Sequence, residues 1–369
     1  MDTITAAPIA DSAPIAPLIG PELVSEPETL SLPKGKPSAD QWAVLGGLRF
    51  FLAMVVMSRH ATIVGKPFCP FIEQFGGYAA VICFMVISGY SMAHSLTQDS
   101  NAARFYVRRF WRIYPVYVTS LALAVAANVL DGFPIHVNDC INMFGELTFL
   151  QNIQTELVRL FWPSWSLGIE VWLYAMAPLF IALRHRAYIA IIAISLVVSL
   201  AHYFLKLSEP AYVNGFWGIG LMTAPWLSGF AYYRMRSTCK TAPIVLLAGA
   251  AMLAFRDFDA TVGRHSMMLY IICCVVLILG HKIVFSASIG NFLRFIGDLS
   301  YPLYISHGIM LSQFVHAPGM AVPSAVAVAV VILLAIDYPL RKFSRRKFKS
   351  VYKLSEVGIG FRRKCSHFA

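Results

Sequence analysis

The sequence predicts an all-α polytopic integral membrane protein with about ten transmembrane helices and with both termini in the cytoplasm. Hydrophobic residues make up 58% of the 369 residues and charged residues only 13%, whereas soluble domains contain about 45–50% apolar and about 25% charged residues. The apolar residues also form runs close to the roughly 20 residues that a helix needs to cross a bilayer. Short basic clusters separate many of these runs, as in cytoplasmic loops.

Ten apolar segments can be placed along the chain. The seventh and eighth are short for a membrane crossing, and no internal repeat of the inverted-repeat transporter type is visible. The segments cover residues 42–59, 76–95, 113–130, 167–183, 187–205, 216–233, 242–255, 266–281, 298–315 and 321–337.

The distribution of charge sets the predicted orientation. Every loop after an even-numbered segment is basic, and an excess of Lys and Arg marks the cytoplasmic side. The net charge of +11 is therefore assigned to topology. Membrane lipids, and not nucleic acid, are the expected partners of these charges. The basic residues after segments two, four, six and eight are Arg104, Arg108, Arg109, Arg112, Arg184, Arg186, Arg234, Arg236, Lys240, Lys282 and Arg294.

The two ends of the chain differ in composition from the middle. Residues 1–40 are rich in Pro and Ala and are expected to be a disordered cytoplasmic tail without a signal peptide. Residues 341–369 form a basic tail that is expected to lie along the anionic inner leaflet. The transmembrane domain is therefore placed at 41–340. The seven cysteines show no C-x-x-C pair or zinc spacing, so no metal site is expected.

The first apolar segment carries two polar residues that suggest function. Arg49 interrupts an apolar run, where a charged side chain costs about 2.5–3.5 kcal/mol. His60 follows eleven residues later, which is about three helical turns, so both side chains share one face about 16 Å apart. The pair could line a polar cavity. Snorkelling of Arg49 and an interfacial position of His60 are the alternatives.

Three other segments are unusually polar for their setting. Arg108, Arg109 and Arg112 could hold phosphate groups, or could serve only as topology charges. Glu170 lies about one turn into the fourth segment and could pair with His60. Trp165 and Ser166 are further cavity candidates, and an aromatic belt is the alternative for Trp165. The last candidates are the stripe Tyr301, Tyr304 and His307, for which a helix–helix hydrogen-bond seam is the alternative.

Six short motifs together resemble the acyltransferase-3 family of integral membrane O-acyltransferases. They occur in the family's order over about residues 42–340. Tyr90 stands where the family usually has Phe, and Asp337 where Glu is common. The motifs are Arg49-x10-His60, CFMVISGY at 83–90 with Ser88, RRFWRIYP at 108–115, WSLGIE at 165–170 with Tyr174 and Pro178, SYPLYISH at 300–307, and IDYP at 336–339.

The resemblance implies transfer of an acyl group, often acetyl, from cytoplasmic acyl-CoA to a hydroxyl of an extracytoplasmic carbohydrate. Acyl-CoA is then a donor substrate and no permanently bound cofactor is expected. His60 would be the catalytic base or acyl carrier, with Glu170 orienting it. Arg49 and the three arginines of 108–112 would hold the donor. A stand-alone family member in a bacterial inner membrane is expected.

Two other classes of function stay open at this point. Ten membrane crossings with intramembrane Arg, Glu and His could also form a transporter or proton-coupled carrier. A non-catalytic assembly subunit is a third possibility, against which the presence of both Arg49 and His60 argues.

Overall fold

The computed structural model describes residues 37–65, 67–151, 153–205, 215–257, 264–314 and 318–344. About 82% of these residues are helical, and this part of the chain contains no β-strand. The predicted all-α architecture is therefore confirmed. Most of the two predicted tails, 1–40 and 341–369, lies outside the described residues.

Twelve α-helices are described. Three irregular turns accompany them, namely 3-10 turns at Ala242–Leu246 and Gly280–Lys282 and a π-helical turn at Leu333–Asp337. The helices are α1 Ala39–Ile63, α2 Pro70–Glu73, α3 Gly77–Gln98, α4 Ala102–Leu130, α5 Val137–Leu147, α6 Ser164–Ile181, α7 His185–Phe204, α8 Gly215–Met235, α9 Leu247–Asp257, α10 Ser266–Leu279, α11 Ala287–Gln313 and α12 Pro318–Ile332.

Each apolar segment of the sequence coincides with helix, but two helices begin well before their apolar run. α4 begins at residue 102 and not 113, and α11 at 287 and not 298. The side chains of Asn101 and Ser286 accept hydrogen bonds from the first turns of these helices, which starts each helix inside a polar stretch. A prediction based on apolar runs therefore omits the first turns of both helices.

Within the described residues, six helices are long and apolar enough to cross a membrane. An integral membrane protein is thereby confirmed, whereas the count of ten and the location of the termini stay predictions. The six are Ala39–Ile63, Gly77–Gln98, Ala102–Leu130, Ser164–Ile181, His185–His202 and Gly319–Ser344, with shorter apolar helices at Ala242–Ala254 and Ser266–Lys282. The last of the six consists of α12, the π-helical turn and the helical residues that continue to Ser344.

Glycines bring two helix pairs into backbone contact. α1 packs along α11, where a Cβ placed on Gly297 would lie 2.5 Å from the Cα of Gly46. α3 packs along α8, where a Cβ on Gly89 would overlap the carbonyl oxygen of Trp226. Small residues allow such close crossings in membrane proteins. The α1–α11 contact sets the depth of Arg49 and His60 relative to the polar stripe of α11.

Candidate active site

A cavity of about 140 Å³ lies between α1, α3, α4, α6 and α11. It brings together most of the residues that the sequence singled out, because polar side chains in apolar helices face the interior of a bundle. The lining includes Arg49, Ser88, Arg109, Arg112, Ser166, Glu170, Tyr301 and Tyr304. His60, Arg108, Trp165 and His307 are not among the lining residues.

Three guanidinium groups reach the cavity, and they differ in how they are paired. Arg112 contacts the carboxylates of Asp298 at 3.3 Å and Asp337 at 3.5 Å. Among the described residues, Arg109 has one long hydrogen bond, from Nη2 to the hydroxyl of Ser95 at 3.4 Å. The buried Nε atoms of Arg49 and Arg109 have no hydrogen-bond partner in the described part of the chain. Arg49 and Arg109 therefore have donor groups available for an anion.

The carboxylate in the cavity ends a chain of hydrogen bonds. The indole N–H of Trp226 donates to Ser88 at 3.2 Å, and the Ser88 and Tyr174 hydroxyls are 3.0 Å apart. Tyr174 in turn donates to Glu170. Because the indole can only donate, the hydroxyls are oriented toward Glu170. This series of hydrogen bonds holds the Glu170 carboxylate among the arginines that line the cavity.

Two tyrosines of α11 fix the far wall of the cavity. Tyr301 donates to the backbone carbonyl of Ile113 on α4 at 2.9 Å. The hydroxyls of Tyr304 and Ser166 are 2.6 Å apart, which joins α11 to α6. The ring of Phe84 packs edge-on against Tyr304 at 5.4 Å between centroids. Tyr301 and Tyr304 thus line the cavity and also form hydrogen bonds between helices, whereas His307, the third residue of the predicted stripe, does not line the cavity.

A histidine pair lies one turn of α11 beyond Tyr304. The Nδ1 atom of His60 is 2.8 Å from Nε2 of His307, and the two rings are nearly parallel. Nδ1 of His307 is 2.7 Å from the backbone carbonyl oxygen of Tyr304. Because a carbonyl only accepts, His307 donates from Nδ1, and a neutral His307 then accepts at Nε2 from His60. This arrangement leaves Nε2 of His60 with a free lone pair.

The predicted pairing of Glu170 with His60 is wrong in this structure. His60 bonds His307, whereas Glu170 accepts from Tyr174 in the cavity. The prediction was based on similar depth along two helices, and depth does not fix the direction in which a side chain points.

Two further predicted residues lie outside the cavity. Arg108 pairs with Asp99 at 2.6 Å, a carboxylate that it shares with Arg104. Trp165 is half-buried against the hydrophobic core. Trp162, which the sequence analysis did not select, packs edge-on against His60 with 4.3 Å between ring centroids. Because Trp162 lies in a loop, helical periodicity could not identify it.

An ion-pair cluster closes the bundle where α4, α11 and the π-helical turn meet. Asp337 is the last residue of that turn, and its side chain is only 1% exposed. It contacts Arg112 and Arg341, and Asp298 accepts from the same two arginines. Position 337, at which the resemblance drawn from the sequence leads one to expect Glu, therefore holds a buried carboxylate that pairs with two arginines.

Removing that carboxylate is expected to destabilise the fold. Asp337→Ala leaves two arginines near a buried site with one carboxylate between them, which costs about 3–5 kcal/mol when a buried pair is broken. Asp99→Ala removes two ion pairs near the surface, each worth about 0–1 kcal/mol. Thermal unfolding of the purified variants in one detergent compares the two. Equal midpoints for both variants would contradict the structural role of Asp337.

Comparison with known proteins identifies the family. Residues 42–347 match the family model described as an acyltransferase domain. The chain belongs to the acyltransferase-3 family. The resemblance drawn from six motifs is thereby confirmed, and the protein is an O-acyltransferase. Family membership favours this enzyme class over the carrier and over the assembly subunit. No solved structure matches the chain.

Three relatives of this acyltransferase-3 protein illustrate the match. A putative acetyltransferase, ORF330, of Acidianus two-tailed virus is 24% identical over 284 residues, covering 72% of this chain and 81% of the relative. Protein 2 in the picA locus of Rhizobium radiobacter is 31% identical over 30% of this chain and 60% of its own. Acyltransferase MdmB of Streptomyces mycarofaciens is 28% identical over 38% of this chain and 40% of its own.

Proposed function

We propose that this O-acyltransferase moves an acyl group, most simply acetyl, from cytoplasmic acyl-CoA to a hydroxyl of a carbohydrate on the other side of a bacterial inner membrane. One observation carries the proposal. A single cavity has available guanidinium groups on its wall, and Tyr304 joins that cavity to a histidine pair. An anionic thioester held by the arginines could present its acyl carbon to His60.

The donor end of the cavity is assigned to Arg49 and Arg109. Guanidinium groups bind phosphate through paired, charge-assisted hydrogen bonds, and these two have donors to spare among the described residues. Arg112 contributes positive charge while it stays paired with Asp298 and Asp337. Arg108 is already paired with Asp99, so the donor site does not depend on it.

General base catalysis at His60 is the proposed chemical step. Nε2 of His60 removes the proton from the acceptor hydroxyl as its oxygen attacks the thioester carbonyl carbon. The carbon–sulfur bond then breaks, the CoA thiolate leaves, and it takes the proton from the imidazolium. His307 accepts from Nδ1 of His60 and so takes the orienting place that a carboxylate holds in a Ser-His-Asp triad.

A covalent variant uses the same geometry. Nε2 of His60 attacks the thioester carbonyl carbon directly and the CoA thiolate leaves. The oxygen of the acceptor hydroxyl then attacks the acyl-imidazole, the bond from the acyl carbon to Nε2 breaks, and the hydroxyl proton passes to the thiolate. Addition of labelled acetyl-CoA without acceptor separates the two routes. Label retained on His60 supports the acyl-histidine, and its absence together with full transfer supports the base.

Glu170 is assigned to the cavity and not to the imidazole. It accepts from Tyr174 and shares the cavity with Arg49 and Arg109. Its negative charge offsets the charges of these arginines while the donor is absent. We therefore propose that Glu170 sets the affinity and release of the donor.

Acyl transfer to a surface glycan is tested by composition. Glycans are collected from cells with the protein, without it and with His60→Ala, and are analysed by mass. We expect a mass increase of one acyl group per modified sugar only with the intact protein. The same measurement reports whether the acceptor is a polysaccharide or a lipid-linked precursor. Identical glycan masses in all three samples, together with transfer to a small glycoside or macrolide-like molecule, would contradict the carbohydrate-polymer acceptor.

A further inference from the structure

A second polar cluster, built around Glu146, lies outside the cavity. Glu146 is fully buried near the end of α5. Its Oε1 atom accepts from the hydroxyl of Ser164 at 3.0 Å and from the backbone N–H of Val158 at 3.3 Å. Its Oε2 atom accepts from Tyr117 on α4. One carboxyl group thus joins α4, α5, the loop before α6 and the first residue of α6.

A second side chain reinforces this cluster. The amide of Gln151 donates to the hydroxyl of Tyr117 at 3.0 Å and to the backbone carbonyl of Ser164 at 3.4 Å. The ring of Phe161 packs on that of Tyr117 with 5.2 Å between centroids. The connection from α5 to α6 is therefore hydrogen-bonded near both of its ends to the buried cluster of Glu146 and Tyr117.

The loop also contains a residue with a strained backbone conformation, two positions before Trp162. Leu160 has φ of 65°, a left-handed conformation that costs a non-glycine residue about 1–3 kcal/mol. A neighbouring structure must hold such a residue in place. A Cβ placed on Gly308 would lie 3.0 Å from both the Leu160 carbonyl oxygen and the Trp162 ring. The loop therefore presses directly on α11, one residue after His307.

Trp162 contacts both histidines of the pair. Its indole packs edge-on against both imidazoles, at 4.3 Å from His60 and 5.8 Å from His307 between centroids. His60 is only half-buried, at the end of α1, whereas His307 is fully buried. Trp162 thus packs beside the partly exposed imidazole of His60 and restricts its rotation away from His307.

We propose that Glu146 is a positioning residue for the histidine pair, acting through the loop 158–164 that holds Trp162 against His60. Only the expected change in kcat rests on the proposed function. The structural consequence, a shielded and oriented His60, can be measured without any acyl transfer.

The state of the Glu146 carboxyl bears on the choice of variants. Burial raises the pKa of Glu146 to about 7, although hydrogen bonds from Tyr117, Ser164 and Val158 favour the ionised form. Both forms are therefore compatible with the cluster near neutral pH. Glu146→Gln keeps one oxygen to accept from Val158 and Ser164, so this variant should preserve the loop. Glu146→Ala removes all three hydrogen bonds.

The test measures how fast diethyl pyrocarbonate modifies His60, followed by mass spectrometry of the full-length protein in detergent. We expect Trp162→Ala and Glu146→Ala to raise the rate about fivefold or more, and Glu146→Gln to stay within about twofold of the parent protein. Glu156→Ala removes an exposed carboxyl two residues before the loop 158–164 and should leave the rate unchanged. His281, exposed and remote in sequence, should react at the same rate in every sample and serves as the internal reference for the reagent.

The kinetic arm uses the same variants with acetyl-CoA. Glu146→Ala is expected to lower kcat about tenfold and to leave KM for acetyl-CoA unchanged, and Glu146→Gln should restore kcat. A folded Glu146→Ala with the parent rate of His60 modification would overturn the proposal. If Glu146→Ala does not fold, Trp162→Ala and Tyr117→Phe decide, and unchanged His60 modification in both overturns it. Loss of shielding in a protein without any acyl transfer would instead contradict the proposed function alone.

Discussion

Replacing His60 with alanine is expected to lower acyl transfer by about 10²–10⁴-fold, the usual contribution of a general base. Nε2 of this imidazole is the free basic atom of the histidine pair, because Nδ1 is bound to His307. KM for acetyl-CoA should change little, since the arginines proposed to hold the donor lie in the cavity and His60 does not line it. The measurement is release of CoA thiol and label transfer in proteoliposomes.

The partner imidazole gives a sharper version of the same test. His307→Ala removes the acceptor of the His60 Nδ1–H and frees the ring to turn, so kcat is expected to fall by up to about 10⁴-fold, by analogy with the orienting residue of a triad. His281→Ala changes an exposed histidine and serves as the control. Full transfer by His60→Ala would exclude both the base and the acyl-histidine routes.

The sequence predicted the helices and the cavity-lining residues better than it predicted which side chains hydrogen-bond to each other. Arg49, Glu170 and Tyr301 had to face the bundle interior, because polar groups in an apolar helix are costly anywhere else. All three line one cavity. The prediction needed only one-dimensional information, namely which residues are polar and how apolar their neighbours are.

Pairing could not be predicted in the same way. His60 and His307 are 247 residues apart in the chain, and helical periodicity gives a face and not the residue opposite it. The close contact of Gly46 with Gly297 sets the register of α1 on α11. That register decides that His60 meets His307 and not Glu170. Trp162 was missed because its position depends on a loop, which carries no periodic signal.

Replacing Arg49 with lysine is expected to weaken binding of acetyl-CoA by about 10–100-fold. A hydrogen bond to a charged group contributes about 1.5–3 kcal/mol, and each 1.4 kcal/mol is tenfold in affinity. Lysine keeps the positive charge but loses the planar pair of donors that matches a phosphate. Equilibrium binding of labelled acetyl-CoA to the purified variant gives the number directly.

The matched control for this substitution is Arg294→Lys. Arg294 is exposed and its guanidinium bonds Asn291 at 2.9 Å on the same helix, so donor affinity should stay within about twofold. Arg109→Lys should weaken binding in the same direction as Arg49→Lys. Unchanged donor affinity in Arg49→Lys would remove Arg49 from the donor site.

The double variant Arg49→Lys/Arg109→Lys tests whether the two arginines bind the same group of the donor. If Arg49 and Arg109 hold the same phosphate, loss of one alters what the other can bind, and the two changes in binding free energy will not add. If each holds a different part of the donor, the changes will add within about 0.5 kcal/mol. Because Arg112 is held by Asp298 and Asp337, it cannot readily replace either one. A non-additive result would therefore place one phosphate between Arg49 and Arg109, on the cavity side of Tyr304.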